Sequence, residues 1–358
     1  MKIAITGFPQ VGKKTLFELL TGARVTQHES AGAKSAQSGI AKIRDERFTK
    51  LVDMYRPKKE VPGNIEFMLL PDMQLDAEFN REVYRHLENA DAVCYIARAF
   101  FSDSVYHIAG SVSPERDIEN IIGEFIIMDQ IFVEKRIERL DLEIKKKGEK
   151  DKIAEKEMLL RLKAHLEEEQ PLRIYPFTPE EQRMTLSYAF VSRKPMVVVI
   201  NIDDSEIKSE ERLKALEAKF AGHGIHWIQV AVKSEKEISE IEDPEERKMF
   251  LDDLGIKDMT LDRFTIIAYK ALGLITFFTV GEDEVRAWMC RINSFAPQAA
   301  KVIHQDFEKG FIRAEVIKYS ELMEAGSEQK LKEKGKLYMK GKDYIVEDGD
   351  ILHILFNV

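Results

Sequence analysis

The stretch that decides the fold is KIAITGFPQVGKKTLFELLTG, residues 2–22. Residues 2–6 are a short apolar run typical of a strand, and residues 14–21 carry apolar side chains at helical spacing. The loop between them, residues 7–13, matches the first seven positions of G-x-x-x-x-G-K-[ST]. In that pattern, backbone N–H groups and a lysine hold phosphate oxygens. The sequence therefore predicts a phosphate-binding loop between a strand and a helix.

The candidate phosphate contacts are Gly7, Pro9, Gln10, Val11, Gly12, Lys13, Lys14 and Thr15. Lys14 stands where the pattern has Ser or Thr, whose hydroxyl normally ligates Mg²⁺. An ammonium group cannot ligate a cation, and Thr15 points about 100° away on a helix. The alternative interpretation of the loop is a glycine turn with a surface lysine.

Outward from this loop, further apolar runs occur at residues 65–70, 92–97, 196–200 and 225–232. They alternate with helical segments, a pattern typical of an α/β fold with a parallel sheet covered on both faces. Near residues 117–170, Val133, Ile137, Leu140 and Ile144 step by four, three and four, and Leu159, Leu162 and Leu166 follow a break at residues 148–151. This spacing predicts an antiparallel helical hairpin with a coiled-coil-like seam. Its many charges are interpreted as a solvated surface, with a binding face as the alternative.

Composition narrows the class of protein. The chain has 54 Lys+Arg against 63 Asp+Glu, a net charge of −9, which argues against a general polyanion-binding protein. Two cysteines exclude a disulfide scaffold and a cysteine-rich zinc site. No apolar run approaches the ~20 residues that span a bilayer. We therefore expect a cytoplasmic protein with no membrane segment.

Several stretches of the sequence, the loop motif included, are similar to those of one known family. They are GFPQVGKKTLFELLTG, SVSPERDIE, LGLITFFTVGEDEVRAW, APQAAKVIHQDFEKGFIRAEV and DYIVEDGDILHILFNV. Together they resemble the YchF / Obg-like ATPase family of P-loop NTPases in the translation-factor class. The resemblance implies a G domain at residues 1–120 and 185–274, an inserted hairpin at 121–184, and a β-grasp TGS domain at 275–358.

The resemblance also indicates where a purine base would be read. GTPases use N-K-x-D and this family is marked by N-x-x-E, and the matching residues here are 201–204, NIDD. Asp204 could accept from guanine N1 and N2, but Ile202 lacks the lysine stem that covers the base, so GTP and ATP both stay open. The alternative for the two aspartates is a helix cap. The base-side candidates are Asn201, Asp204, Ala231 and Val232.

The positions that hold Mg²⁺ in the family are altered. Leu69 aligns with the aspartate of D-x-x-G and Asp72 with its glycine, while the first-switch threonine falls near Ala33. Together with Lys14, this change predicts weak or absent hydrolysis, because phosphoryl transfer depends on Mg²⁺. Asp72 is considered as a replacement ligand, although it lies three residues beyond the expected strand end.

Three hypotheses follow. The first is a YchF-like protein that binds GTP or ATP with little turnover, a pseudo-GTPase that acts on the ribosome. The second is a nucleotide-free scaffold that binds RNA or protein through the hairpin and the TGS domain, where six lysines between residues 330 and 342 form a basic cluster. A solvated loop is the alternative for that cluster. The third hypothesis is an active ATPase or GTPase with replacement ligands.

Overall fold

The computed structural model describes residues 1–25, 36–147 and 150–357. The chain divides into two compact units, residues 1–40 with 66–264 and residues 41–65 with 265–358. The strands are β1 (Lys2–Thr6), β2 (Gln37–Lys42), β3 (Lys59–Val61), β4 (Asn64–Leu69), β5 (Ala92–Arg98), β6 (Met196–Asn201), β7 (Ile225–Val230), β8 (Leu274–Thr279), β9 (Glu284–Arg291), β10 (Phe311–Lys318), β11 (Tyr338–Lys340) and β12 (Asp350–Phe356).

The helices are α1 (Lys13–Thr21), α2 (Glu46–Tyr55), α3 (Arg81–Glu88), α4 (Pro114–Lys147), α5 (Lys150–Glu167), α6 (Pro179–Met184), α7 (Glu211–Lys219), α8 (Val232–Ser239), α9 (Pro244–Leu254), α10 (Thr260–Leu272), α11 (Ala296–Ile303), α12 (Gln305–Lys309), α13 (Tyr319–Ala325) and α14 (Glu328–Glu333). The predicted α/β class is confirmed, since strands and helices alternate through the first unit.

The sheet of the first unit has the strand order β2-β4-β1-β5-β6-β7. The pairs β1–β4, β1–β5, β5–β6 and β6–β7 are parallel. Strands β5 and β6 are buried along their whole length, which explains why their sequences are continuous apolar runs. Strand β1 lies between β4 and β5, so the loop that follows it opens at the edge where the parallel strands end.

Helices α4 and α5 pack along each other within the first unit. Ion pairs join Glu134 to Lys163 and Glu143 to Lys152. The position along α5 falls as the position along α4 rises, so the helices are antiparallel. Of the predicted seam, Val133 and Leu140 are fully buried, whereas Ile137 and Ile144 are half-buried. The charges were predicted to be solvated, whereas some of them link the two helices. The predicted break includes residues 148 and 149, which lie outside the described residues.

The sheet of the second unit has the order β11-β10-β12-β8-β9-β3 and mixes parallel with antiparallel pairs. Residues 41–65 belong here, although the resemblance implied that they are part of the G domain. The reason is that β3 pairs in parallel with β9, while Phe48 and Leu51 of α2 enter the core beside Phe278. The other domain boundaries stay predictions.

No helix in the described part of the chain is long and apolar enough to cross a membrane. Cys94 and Cys290 are both buried and unpaired with each other, as expected for a chain without a disulfide scaffold. Burial raises the pKa of the Cys290 thiol to about 11, so it is a poor nucleophile near neutral pH.

Candidate functional site

The loop between β1 and α1 has the conformation that its glycines were expected to allow. Gly12 has φ 100° and forms the N-cap of α1 with no side-chain hydrogen bond. A Cβ atom at this position would fall on the Nδ2 atom of Asn201, so only glycine fits. The N–H groups in the first turn of α1 are therefore not capped by a side chain, and with the helix dipole they favour an anion.

Lys13 is the buried cation of this loop, with only 4% of its side chain exposed. Its Nζ atom donates to the backbone oxygens of Gly7 at 2.7 Å and Pro71 at 3.3 Å. It also forms an ion pair with the Asp72 carboxylate at 2.7 Å. Burial lowers the pKa of Lys13, and the Asp72 charge opposes part of this effect. The ammonium thus has three acceptors within the protein: two backbone oxygens and one carboxylate.

Asn201, at the end of β6, joins the phosphate loop to the start of α8. Its Nδ2 atom donates to the backbone oxygen of Val11 at 2.9 Å. Its Oδ1 atom accepts from the N–H of Val232 at 3.2 Å. The predicted base-side asparagine therefore fixes the position of two loops, because both polar atoms of its side chain are used inside the protein.

The two aspartates after Asn201 have different partners. Asp203 accepts a hydrogen bond from the backbone N–H of Phe101 at 2.9 Å. Asp204 is exposed, and the hydroxyl of Ser234 donates to its carboxylate. Asp203 thus holds the neighbouring loop, and Asp204 keeps a free carboxylate edge. This arrangement fits the helix-cap alternative poorly, since neither side chain caps the short helical turn at Asp204–Glu206.

A loop after β5 forms another wall, which the sequence analysis did not identify. Arg98 is 1% exposed, and its guanidinium donates to the backbone oxygens of Phe100, Ser102 and Val105. Phe101 is 74% exposed. Burial lowers the pKa of Arg98, and Asp203 opposes this effect. The only sequence signal was an arginine at the end of an otherwise apolar strand.

These elements surround a cavity of about 1050 Å³ within the first unit. Of the predicted site residues, nine line it: Pro9, Gln10, Gly12, Lys13, Lys14, Thr15, Asn201, Asp204 and Val232. Gly7, Val11 and Ala231 are buried behind its wall. Asp72, Phe100, Phe101 and Ser234 line it as well. The structure therefore brings together the phosphate-side and base-side residues at one place, and Gly7 and Val11 act through their backbone oxygens.

The three positions considered for Mg²⁺ differ in their surroundings. Leu69 is a buried residue of β4. The side chain of Lys14 is exposed at the cavity, and Asp72 is bound to Lys13. Ala33 and its neighbours in residues 30–35 lie outside the described residues. Within residues 1–25, 36–147 and 150–357, no three His, Cys, Asp or Glu side chains form a group suited to a metal ion.

The fold and the site define a P-loop nucleotide-binding protein: a glycine loop follows the first strand of a parallel sheet and a buried lysine opens the next helix. Comparison with known proteins gives the family. The chain is 38% identical over 370 residues to Ribosome-binding ATPase YchF of Bacillus subtilis (strain 168), over 99% of this chain and 98% of that protein. It is 33% identical over 366 residues to Obg-like ATPase 1 of Caenorhabditis elegans, over 100% and 92%. The chain belongs to the YchF / Obg-like ATPase family.

Two further comparisons agree with this assignment. The family model YchF-GTPase_C, described as "Protein of unknown function (DUF933)", matches residues 274–357. The solved structure of the Schizosaccharomyces pombe YchF GTPase is similar with a TM-score of 0.84 at 29% identity, over 99% of this chain and 97% of that chain. The resemblance stated from the sequence is confirmed.

The geometry at Gly12 gives a test of the loop. We expect Gly12→Ala to lower the free energy of unfolding by about 3 kcal/mol, because a left-handed backbone and an overpacked Cβ each cost roughly 1–3 kcal/mol. Gly22→Ala is the matched control, since Gly22 has φ 69° and open space around it. It should lose about 1 kcal/mol, for strain alone. If urea denaturation shows equal losses of unfolding free energy for the two variants, the added Cβ at residue 12 does not clash with Asn201.

Proposed function

We propose that the protein binds a purine nucleotide, GTP or ATP, in the cavity of the first unit, with weak or no hydrolysis, and that it associates with the ribosome. The observation that carries the nucleotide part is the convergence on one cavity of a buried lysine, an uncapped helix start and a free carboxylate. The phosphates would lie at Lys13 and the first turn of α1. The base would lie toward Asp204.

Weak or absent hydrolysis is proposed from the donor set around the phosphate loop. A magnesium ion bound with a nucleotide needs hard oxygen ligands and usually one or two carboxylates. Here Lys14 brings a positive charge to the ligand position, and Leu69 has no oxygen in its side chain. Thr15 borders the cavity, but the nearby carboxylate of Asp72 is held by Lys13. The described residues therefore fit Mg²⁺ poorly, and no catalytic step is assigned through the ion.

Lys14 suggests how phosphates could be held without the metal. It lines the same cavity as Lys13, one residue further along α1. Two cations and a helix start can neutralise part of a polyphosphate's charge, although desolvation offsets some of the attraction. We therefore infer that nucleotide binding depends little on Mg²⁺.

This proposal predicts the result of isothermal titration of nucleotide-stripped protein with ATP, GTP, ADP and GDP. We expect the dissociation constant of the preferred nucleotide to change less than about threefold between Mg²⁺ and EDTA. In Lys14→Ser, which restores the hydroxyl of the motif, binding in EDTA should weaken about tenfold, because one phosphate-facing charge is lost.

Each other outcome of the titration has a defined meaning. Binding that requires Mg²⁺ would favour an active ATPase or GTPase with replacement ligands. The absence of binding by all four nucleotides would favour a scaffold that acts through its surfaces. Unchanged affinity of Lys14→Ser in EDTA would remove Lys14 from the phosphate site.

The base preference depends on Asp204. A carboxylate accepts hydrogen bonds from guanine N1 and N2, and adenine offers no donor at those positions. We expect Asp204→Asn to weaken GTP binding about tenfold and to leave ATP binding within about twofold. Asp103→Asn makes the same charge change on the loop after β5, outside the cavity lining, and should leave both affinities unchanged. Equal effects on ATP and GTP would show that Asp204 does not read the base.

The ribosomal part of the proposal rests on the relatives named Ribosome-binding ATPase YchF and on a basic surface of the second unit. Lys330, Lys332, Lys334 and Lys342 are exposed there, while Lys336 is paired with Glu321. Exposed lysines that are not neutralised can contact RNA phosphates. The surface formed by α14 and the following turn is therefore the proposed contact.

Sedimentation with purified ribosomes tests this contact. We expect the double variant Lys332→Ala and Lys334→Ala to be released from ribosomes at a lower salt concentration than the wild type, because phosphate contacts are lost. Each lost contact should also reduce the slope of log K against log salt concentration by about one. The matched control is Lys270→Ala with Lys309→Ala, which removes the same charge from another exposed part of the second unit. Equal release of both double variants would exclude this surface as the contact.

A further inference from the structure

The hydrogen-bonding capacity of Lys13 is fully used. An ammonium group has three N–H donors. The Nζ atom of Lys13 has three acceptors in reach: the oxygens of Gly7 and Pro71, and the Asp72 carboxylate. A phosphate oxygen that binds Lys13 must therefore displace one of them. The first two are backbone oxygens, and the third is an anion on a side chain that can rotate.

The segment that carries Asp72 is fastened on both sides. The N–H of Leu70 donates to the backbone oxygen of Ile5 in β1 at 3.0 Å. The N–H of Met73 donates to the backbone oxygen of Gly7 at 3.1 Å. Met73 is almost completely buried. The backbone at Asp72 is thus held against the phosphate loop, and its carboxylate is 47% exposed at the cavity. These contacts place the Asp72 carboxylate beside the Lys13 ammonium.

We propose that the Asp72 carboxylate is an internal substitute for a phosphate group, which competes with the incoming nucleotide for Lys13. This inference rests on the proposed nucleotide function and names the residue that limits its affinity. A ligand binds only when the carboxylate turns away, and the displaced charge then stays beside the phosphates and repels them. The site therefore binds a phosphate chain more weakly than its loop alone would allow.

The same residue has a second possible role, which makes the opposite prediction. If Asp72 ligated a metal ion together with the phosphates, its removal would weaken binding in Mg²⁺ and leave binding in EDTA unchanged. If it competes for Lys13, its removal strengthens binding in EDTA. The sign of the change in EDTA separates the two roles.

The experiment is a calorimetric titration of the full chain with pyrophosphate, ADP and ATP, each in EDTA and in Mg²⁺. We expect Asp72→Asn and Asp72→Gly to bind pyrophosphate and ATP in EDTA at least about tenfold more tightly than the wild type. The reason is that a neutral group bonds the ammonium roughly half as strongly as a carboxylate does. Glu78→Gln is the control, because Glu78 is an exposed carboxylate on the same segment and outside the cavity lining. Its affinities should equal those of the wild type.

Melting curves establish which variants are folded, and either Asp72 variant alone carries the test. Equal affinities of wild type and variants would overturn the competition and leave the nucleotide function standing. Weaker binding that is confined to Mg²⁺ would overturn it in favour of a metal ligand. If neither the wild type nor the variants bind pyrophosphate or nucleotide, Asp72 competes with nothing, and the inference falls together with the proposed function.

Discussion

The side-chain amide of Asn201 is the interaction on which the candidate site depends. It donates to Val11 in the phosphate loop and accepts from Val232 at the start of α8. The backbone oxygen of the same residue accepts from Ala99 and Phe100 after β5. Loops from the ends of β1, β5 and β7 thus meet at one residue of β6. Because a buried polar group left without its partner costs about 1–3 kcal/mol, these loops are held in place together.

Part of this arrangement was predictable from the sequence. The phosphate loop followed from a motif whose residues are adjacent in the chain, and the parallel sheet followed from continuous apolar runs such as residues 196–200. The pairing of Asp72 with Lys13 was not predictable, because it depends on β4 lying beside β1. The wall built on Arg98 was missed for a different reason, since its acceptors are backbone oxygens that no sequence pattern marks.

Other parts of the fold were also predicted only incompletely from the sequence. Helix α2 was not predicted from the sequence; its buried positions Phe48 and Leu51 are three residues apart, and such spacing does not say which sheet a helix covers. Strand β3 has only three residues, which are mostly exposed, so it leaves almost no signal. In the hairpin, the alternating charges indicated solvation, and only the antiparallel pairing of α4 with α5 showed that part of them bind each other.

Because residues 41–65 belong to the second unit, the two units differ in the order in which they can fold. Strand β3 leaves the ribosome more than 200 residues before its partner β9. At roughly 5–20 residues per second, the interval is about 10–45 s. During synthesis, the apolar face of α2 lacks its packing partners for that time, while the strands of the first unit are synthesised one after another. The C-terminal sheet is therefore a late, non-local structure, completed only when both ends of the chain are present.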